Sequence, residues 1–404
     1  MKILITSDWY IPAVNGVVTS VLTLQKELSR RGHDVRILTL SGDGRDHQAG
    51  SVYALGSLDA GRIYPGARLL APSPRTVIQQ LIDWRPDVVH SQCEFSTFAP
   101  ARRIARACGA PLVHTYHTVY EDYTHYFSPS RRWGRLLVKG FTRAVLARTD
   151  AVIAPSLKVS NLLQSYGVRT PVRVIPTGID TERFDRPLPG EEIAARRRAL
   201  GIPEGNCVAI SLGRLAREKN IDELLDCRAA LGDAPVTLLL VGGGPDQARL
   251  EQRARSLGLP AGAVVFTGMV SPARVPDYYR LGDVFVSASS SETQGLTYFE
   301  AMTCGLPLLC RDDPCLEGVV LPGENGVLWR TGDEFCTALK ALAADPARRA
   351  AMGAASARHS RRFTARNFAL SAEALYREAC LARGAQARPF PALPVPLPAG
   401  LPRR

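Results

Sequence analysis

Two glutamates lie eight residues apart in the segment SSETQGLTYFEAMTCGLP (290–307), with a glycine between them. Glu292 precedes a predicted strand-to-helix turn that ends at Gly295, and Glu300 lies a little over one turn into the helix. Carboxylates accept hydrogen bonds from hydroxyl groups, so Glu292 suits the hydroxyls of a sugar and Glu300 the two hydroxyls of a ribose. Taken alone, the same spacing also fits a helix-capping acid followed by a surface acid.

Two turns are predicted to offer backbone N–H groups to a phosphate. Beyond Gly295, the first helical residues Leu296 and Thr297 have no acceptor for their N–H groups within the helix. In DWYIPAVNGVVTSV (8–21), Gly16 opens the first predicted helix and lets a ligand approach the backbone. A turn between a strand and a helix often needs glycine for steric reasons, so this second turn is weak evidence by itself.

Two cations follow the first predicted strand of the second half, in SLGRLAREKN (211–220). Arg214 and Lys219 at the carboxyl end of a strand can neutralise a diphosphate, Arg as a planar fork and Lys as a point charge. An ordinary solvated basic loop has the same composition. The chain has no G-x-G-x-x-G segment, which disfavours dinucleotide binding, and no G-x-x-x-x-G-K-[ST] segment, which excludes a P-loop NTPase.

The composition, with 46% hydrophobic and 22% charged residues, is typical of a soluble globular protein. The 404 residues predict two domains of about 180 residues each. No apolar run approaches the ~20 residues that span a bilayer, and MKILITSDWY at the N-terminus indicates a first strand, not a signal peptide. The nine cysteines include no C-x-x-C pair, which favours reduced thiols in a cytoplasm.

The net charge of +12 is concentrated in the first half of the chain. Residues 1–180 contain 22 Lys and Arg against 13 Asp and Glu, whereas residues 181–404 contain 28 against 25. The first half therefore either faces something anionic or has a solvated basic surface. The usual nucleic-acid signatures are absent from the sequence, so we expect no nucleic acid partner, and an anionic membrane surface is the other candidate.

Strands and helices alternate along almost the whole chain, which predicts an α/β protein with two doubly wound Rossmann-like domains facing each other across a cleft. Near-continuous apolar runs indicate strands buried on both faces, and therefore parallel sheets. These runs lie at 2–6, 35–40, 86–90, 110–116, 151–155, 172–176, 207–213, 236–244, 263–270, 283–289 and 306–310. The predicted units are the domains 1–182 and 183–363, a helix 364–384 that crosses back to the first domain, and a disordered Pro-rich tail 385–404.

Together the motifs resemble those of the family 4 glycosyltransferases, retaining enzymes with the GT-B fold, from residue 1 to about 380. The resemblance rests on Asn15-Gly16, GRLAREK (213–219) and ETQGLTYFE (292–300), in that order. It implies a hexosyltransferase whose first domain faces the acceptor and the membrane and whose second domain binds a nucleotide sugar. The implied donor-binding residues are Gly16, Arg214, Lys219, Glu292, Gly295, Leu296, Thr297 and Glu300.

The resemblance also implies two catalytic residues, His117 and Glu292. In the family a histidine after a strand of the first domain lies near the transferred sugar, and HTYH (114–117) supplies it as His117, with His114 left as a structural residue. A lone histidine at such a position is more often a buried core residue. Its place in this set of motifs favours catalysis.

Within the family, HTYHTVYEDYTHYF (114–127), SETQGLTYFEAM (291–302) and CLEGVVLPGENG (315–326) most resemble the bacterial 1,2-diacylglycerol 3-glucosyltransferases. That resemblance implies transfer of glucose from UDP-glucose to the hydroxyl of diacylglycerol, giving a membrane monoglucosyldiacylglycerol. The candidate acceptor-side residues follow the histidine and are Tyr120, Glu121 and Asp122.

Transfer from such a donor expels a nucleoside diphosphate and leaves an oxocarbenium-like centre, so the departing charge must be stabilised. The chain contains no D-x-D triplet, the usual metal–diphosphate clamp, which agrees with a metal-independent GT-B enzyme that needs no cofactor. The resemblance implies retention of configuration. Because no carboxylate nucleophile is evident, we expect same-face attack, with the leaving phosphate accepting the proton of the acceptor.

A lipid acceptor requires membrane contact, and SRRWGRLLVKGFTRAVLART (130–149) predicts a basic amphipathic helix. Trp133, Leu137, Phe141 and Val145 recur at every fourth position. We expect this apolar stripe to pack on the domain core, and the cations to bind an anionic surface, so that the protein is cytoplasmic and peripherally associated with the inner face of the cell membrane. The predicted membrane-facing cations are Arg131, Arg132, Arg135, Lys139 and Arg143.

Other donors and acceptors remain open. GDP-mannose or UDP-galactose can replace UDP-glucose, and a phosphoinositide, a glycolipid or a soluble glycan can replace diacylglycerol. A nucleotide-sugar epimerase shares the architecture, but GRLAREK together with the two spaced glutamates argues against it. A binding protein without catalysis is disfavoured by the full set of polar groups.

Overall fold

The computed structural model describes residues 1–61, 67–71, 76–121 and 130–384, without the side chain of Arg131. Three predictions therefore fall wholly or partly outside the described residues. These are Asp122 as an acceptor-side residue, the Arg131 side chain as a membrane-facing cation, and the disordered tail 385–404.

The first half of the chain forms a nine-stranded sheet in its described part. The strands are β1 (Lys2–Thr6), β2 (Asp34–Ser41), β3 (His47–Ala49), β4 (Val52–Asp59), β5 (Arg68–Leu70), β6 (Val88–Ser91), β7 (Leu112–Thr115), β8 (Ala151–Ala154) and β9 (Val172–Val174). Their order is β3-β4-β2-β1-β6-β7-β8-β9, with β5 also paired to β4. All pairs are parallel except those of β3 and β5 with β4.

The six predicted strands of this sheet are confirmed, whereas β3, β4 and β5 were not predicted. The strands β3 and β5 have three residues each and lie at the edge, so neither contains a long buried run. In β4 the apolar run is interrupted by Gly56 and Ser57, both weak strand formers.

Two helical layers cover this sheet. The helices of the first half are α1 (Gly16–Arg30), α2 (Thr76–Trp84), α3 (Phe98–Cys108), α4 (Arg131–Leu146) and α5 (Leu157–Ser165). One core contains side chains of α2 to α5 packed against alternate residues of the strands. The opposite face of the sheet is covered by α1 and by a helix from the end of the described chain.

The second half forms a six-stranded sheet in which every pair is parallel. Its strands are β10 (Cys207–Leu212), β11 (Val236–Val241), β12 (Val264–Phe266), β13 (Val284–Ser287), β14 (Leu308–Arg311) and β15 (Gly326–Trp329), in the order β12-β11-β10-β13-β14-β15. The helices that follow α5 are α6 (Gly190–Ala199), α7 (Ile221–Ala230), α8 (Gln247–Ser256), α9 (Val275–Tyr279), α10 (Leu296–Thr303), α11 (Gly332–Ala344) and α12 (Pro346–Ser360). The predicted α/β class with two doubly wound sheets is confirmed, and β15, which begins with glycine, was missed.

The helix α13 (Ala365–Ala382) packs on the first sheet, although it follows the second domain in sequence. Its buried residues Phe368, Ala372 and Tyr376 share a core with Ile3 and Ile153 of the first sheet. The helix therefore completes the hydrophobic core of a domain that the chain left about 190 residues earlier.

Direct hydrogen bonds join the two domains beside the segment that contains the two spaced glutamates. Gln294 accepts from the backbone N–H of Thr177 and donates to its carbonyl oxygen, both at 2.8 Å. Lys158 pairs with Asp313 at 2.8 Å. The buried amide of Gln294 thus fixes the linker against the predicted donor site.

Each sheet reverses its strand order once, between β1 and β6 in the first and between β10 and β13 in the second. Loops leave the carboxyl ends of these neighbouring strands in opposite directions and open a crevice between them. The predicted site residues Gly16, Arg214, Lys219 and Glu292 all follow one of these four strands. The topology therefore positions them at two reversal points.

We expect Gly178→Ala to destabilise the protein, because a Cβ there would overlap the carbonyl oxygen of Thr364. At this crossing Ile179 accepts a backbone hydrogen bond from Ala365 at 2.8 Å, so the linker and the start of α13 cannot separate easily. The expected cost is about 1–3 kcal/mol, measured as a lower thermal unfolding midpoint. Gly190→Ala is the matched control, since a Cβ there meets no atom within 4 Å, and an equal loss in both variants would contradict this explanation.

Candidate active site

An ion pair between Lys219 and Glu292 spans the reversal point of the second sheet. Lys219 ends a short 3-10 turn (Arg217–Lys219) after β10, and Glu292 follows β13. Burial alone would raise the pKa of Glu292, but the charge of Lys219 and its hydrogen bond outweigh burial and hold that pKa below its ordinary value. Glu292 is therefore ionised at neutral pH, with its charge balanced by a cation that an incoming phosphate can share.

Arg214 lies farther out than Lys219. Its side chain is about half exposed and pairs with Glu218, one helical turn along the same loop. The two predicted diphosphate ligands thus differ in setting, since Lys219 lies at the reversal point beside a carboxylate and Arg214 lies at the rim.

The turn before α10 requires glycine. Gly295 has φ +75°, and a Cβ at this position would overlap the ring of Tyr298. The backbone N–H of Tyr298 bonds the carbonyl oxygen of Gly295 at 3.1 Å, so the preceding N–H groups of Leu296 and Thr297 form the open end of the helix. This end has the partial positive charge that favours an anion.

Glu300 lies in the second turn of α10 and accepts a hydrogen bond from the Tyr279 hydroxyl at 2.9 Å. Burial raises the pKa of Glu300 to about 7, although Tyr279 and the charge of Arg183 act in the opposite direction. Its other carboxylate oxygen has no hydrogen-bond partner in the described part of the chain. The two spaced glutamates therefore differ in ionisation, which the sequence alone did not predict.

Gly16 is the first residue of α1, behind the N-cap Asn15, whose side chain accepts from Val18 N–H at 3.0 Å. A Cβ built on Gly16 meets no atom within 4 Å, and its φ is not in the left-handed region. Neither backbone conformation nor packing requires glycine here. Close approach of a ligand to the backbone is a reason that fits, and the role of Gly16 stays a prediction.

His117 follows β7 and is partly exposed, with its Nε2 atom 2.7 Å from the amide oxygen of Gln92. Burial lowers the pKa of His117 to about 4, because it outweighs the raising effect of the Glu94 carboxylate, and the charge of His114 lowers it further. The ring is therefore neutral at pH 7. It can exchange hydrogen bonds with a substrate but does not present a fixed charge.

The two described acceptor-side residues, Tyr120 and Glu121, are already engaged in contacts. Tyr120 donates to the buried carboxylate of Glu94 at 2.5 Å, and His114 contacts the other oxygen of that carboxylate at 3.1 Å. Glu121 pairs with Arg135 of α4 at 3.3 Å. Gln92 and Glu94 were missed, although polar residues directly after the buried strand β6 are the signal that would have found them.

The expectation that the apolar stripe of α4 packs on the core is wrong. Trp133, Leu137 and Phe141 are exposed, at 68%, 61% and 39%, while Val145 is buried. The face that packs inward lies one position further on, at Gly134, Val138 and Thr142, a rotation of about 100° around the helix. The exposed face also carries the cations Arg132, Arg135 and Arg143, with Lys139 partly buried.

The described residues contain no group of three or more His, Cys, Asp or Glu side chains arranged to hold a metal ion. None of their helices is both long and apolar enough to cross a membrane. All nine cysteines are free thiols.

Comparisons with known proteins agree with this architecture. A family model described as Glycosyltransferase Family 4 matches residues 14–183, and one described as Glycosyl transferases group 1 matches residues 192–359. The crystal structure of Anabaena Alr3699/HepE in complex with UDP and glucose is similar, with a TM-score of 0.73 at 21% identity, and the match covers 93% of this chain and 99% of that one. The structural likeness gives the GT-B fold, and the two family matches identify the chain as a glycosyltransferase.

Similarity to curated proteins extends over most of the chain. An alpha-monoglucosyldiacylglycerol synthase from Streptococcus pneumoniae is 35% identical, over 86% of this chain and 79% of its own length. A synthase of the same name from Acholeplasma laidlawii is 31% identical, over 83% of this chain and 86% of its own length. The chain belongs to glycosyltransferase family 4 and is a hexosyltransferase.

If Glu300 holds ribose hydroxyls, the affinity for a nucleoside diphosphate depends on pH. The hydroxyls donate to the ionised carboxylate, so binding is strongest above the pKa of about 7 and weakens as pH falls through it. We expect UDP affinity to fall about tenfold from pH 8 to pH 6, measured by calorimetry. In the control Glu300→Gln this side chain cannot titrate, so the UDP affinity should change with pH only through the phosphate. Parallel curves of UDP affinity against pH for the two proteins would contradict the role of Glu300.

Proposed function

We propose that the protein transfers glucose from UDP-glucose to the hydroxyl of diacylglycerol with retention of configuration. The observation that carries this proposal is similarity to two relatives named alpha-monoglucosyldiacylglycerol synthase, each over more than four fifths of this chain. The exposed aromatic and basic face of α4 supports a lipid acceptor. Ionised Glu292 beside Lys219 at the reversal point of the second sheet, and neutral His117 after β7 of the first sheet, support the chemistry.

In the proposed reaction the bond between the anomeric carbon and the β-phosphate oxygen breaks, and a bond to the diacylglycerol oxygen forms on the same face. The hydroxyl proton passes to the departing UDP. Lys219, Arg214 and the open N-terminus of α10 stabilise the charge that develops on the leaving group. Glu292 contacts the hydroxyls of the transferred sugar, and neutral His117 contacts the sugar from the other domain.

The proposal includes independence from divalent metal ions. Lys219 lies at the reversal point of the second sheet and pairs with the carboxylate of Glu292. Arg214 lies at the rim of that sheet and pairs with the carboxylate of Glu218. A diphosphate that exchanges with these carboxylates is neutralised by fixed charges of the chain. No step of the proposed mechanism then requires a bound ion.

The lipid reaches the site along exposed apolar side chains, in this proposal. Phe95, which follows β6, is 55% exposed and stacks on Phe141 of α4 with ring centroids 5.7 Å apart. The same Phe95 ring meets the edge of Tyr120 at 5.7 Å. Apolar surface therefore continues from the outer face of α4 to the residue three positions beyond His117.

The activity is tested by incubating the purified full chain with a panel of nucleotide sugars and diacylglycerol in vesicles that contain anionic lipid. We expect glucosylated diacylglycerol from UDP-glucose, identified by mass and by the α-anomeric NMR signal, with EDTA causing no loss. His117→Ala and Glu292→Ala should lower kcat by about 100-fold or more, and Lys219→Ala and Arg214→Ala should also weaken donor binding.

Arg330→Ala is the matched control for the two cation variants, because Arg330 is exposed and pairs with Asp312 at 2.8 Å on another loop. It should behave like wild type. Transfer from a different donor or to a different acceptor would replace the proposed substrates, and loss of turnover with EDTA would refute metal independence. Wild-type kinetics in the His117 and Glu292 variants would refute their assignment.

Membrane binding is tested by vesicle flotation. We expect binding that increases with anionic lipid and that falls about tenfold in Trp133→Ser or Phe141→Ser, because each loses an aromatic ring that enters the lipid interface. Leu381→Ser is the control, since Leu381 is 74% exposed on α13. Binding that is indifferent to lipid charge, or an equal loss in the control, would defeat the assignment of α4.

A further inference from the structure

A row of buried polar side chains connects His117 to His90. Gln92 accepts from His117 through its amide oxygen, and its amide nitrogen lies 3.0 and 3.2 Å from the two ring nitrogens of His90. Gln92 is 1% exposed and His90 is fully buried. These three residues follow or belong to the neighbouring strands β6 and β7, so the sheet register fixes their spacing.

The amide orientation decides the tautomer of His117. An amide oxygen only accepts hydrogen bonds, so the Nε2 atom that faces it must carry the ring proton. In a neutral ring the lone pair then lies on Nδ1. That nitrogen has no hydrogen-bond partner in the described part of the chain, which leaves it able to accept a hydrogen bond from a substrate hydroxyl.

At the end of this row that is remote from His117, the side chains contact helix α13. His90 contacts the hydroxyl of Tyr376 through Nδ1 at 2.6 Å and the hydroxyl of Thr115 through Nε2 at 2.7 Å. Tyr376 is fully buried and meets the His90 ring edge-on, with centroids 5.5 Å apart. A residue 259 positions after His117 thus restrains the ring that holds Gln92.

We propose that Gln92 is a positioning residue that holds His117 as the Nε2-protonated tautomer, and that Tyr376 of α13 keeps Gln92 in place through His90. The catalytic use of His117 rests on the proposed function. The positioning itself rests on the four contacts just described. It gives α13 a role at the reaction centre in addition to completing the core.

The groups that act on His117 come from three elements. Glu94 after β6 raises its pKa and His114 of β7 lowers it, while burial has the larger effect. His90 is neutral, since burial holds its pKa well below the ordinary value. Tyr376 of α13 acts only through His90. A carboxylate in place of the Gln92 amide would therefore be a new charge in direct contact with the His117 ring.

The test replaces Gln92 in two ways and follows the histidine rings directly. Gln92→Glu keeps an acceptor for Nε2–H but adds a negative charge, so the pKa of His117 should rise from about 4 to about 6 or above. Gln92→Met keeps the size without the hydrogen bond, and kcat should fall about tenfold or more at saturating donor, with little change in donor KM. The NMR shifts of ¹⁵N-labelled histidine rings in the full chain report the tautomer and the pKa of each histidine. The signal of His117 is identified by its loss in His117→Ala.

Tyr376→Phe removes only the hydroxyl at the α13 end and should lower kcat a few-fold and change the His117 tautomer ratio. Tyr53→Phe is its control, because Tyr53 is also buried and hydrogen-bonded, to Gln48 at 3.1 Å, on β4. Unchanged ring shifts and an unchanged pKa of His117 in both Gln92 variants would overturn the proposal, even if they unfold at lower temperature. If wild type does not glucosylate diacylglycerol, the proposed function fails, and the NMR titration still decides the positioning.

Discussion

The reversal of strand order in each parallel sheet is the constraint on which the site depends. Strands that run in one direction end at one edge, and only at the reversal do neighbouring loops leave in opposite directions. In the second sheet this places Lys219 after β10 and Glu292 after β13 close enough to form an ion pair. In the first sheet it brings the loops after β1 and β6 together, where Asp8 accepts a backbone hydrogen bond from Thr97 at 2.7 Å.

The edges of the two sheets differ in the charge of the groups that they present to the site. The second domain contributes an ionised Glu292 beside Lys219 and an open helix end before α10. The first domain presents a neutral histidine in a buried polar surrounding. Such an arrangement suits the proposed reaction, in which a negatively charged group departs on one side and an uncharged lipid hydroxyl arrives on the other. Fixed charges that are paired before the substrate binds need little reorganisation when it does.

The two domains are also mechanically joined close to the site. Gln294 lies within the glutamate segment and bonds both backbone groups of Thr177, and α13 returns to the first sheet a few residues from the same crossing. The glutamate segment and the start of α13 therefore both contact the linker at one crossing. The same helix α13 contacts His90 of the first sheet through the hydroxyl of Tyr376.

The sequence by itself determined the α/β class and most of the central strands, because strands buried on both faces have a strong local pattern. Edge strands such as β3 and β5 lack a buried face, and no local pattern marks them. Only the tertiary structure decided which stripe of α4 packs inward, since helix rotation depends on the surface that receives it. It also decided that Gln92, His90 and Tyr376 meet, because residues 286 positions apart become neighbours only when α13 folds back onto the first sheet.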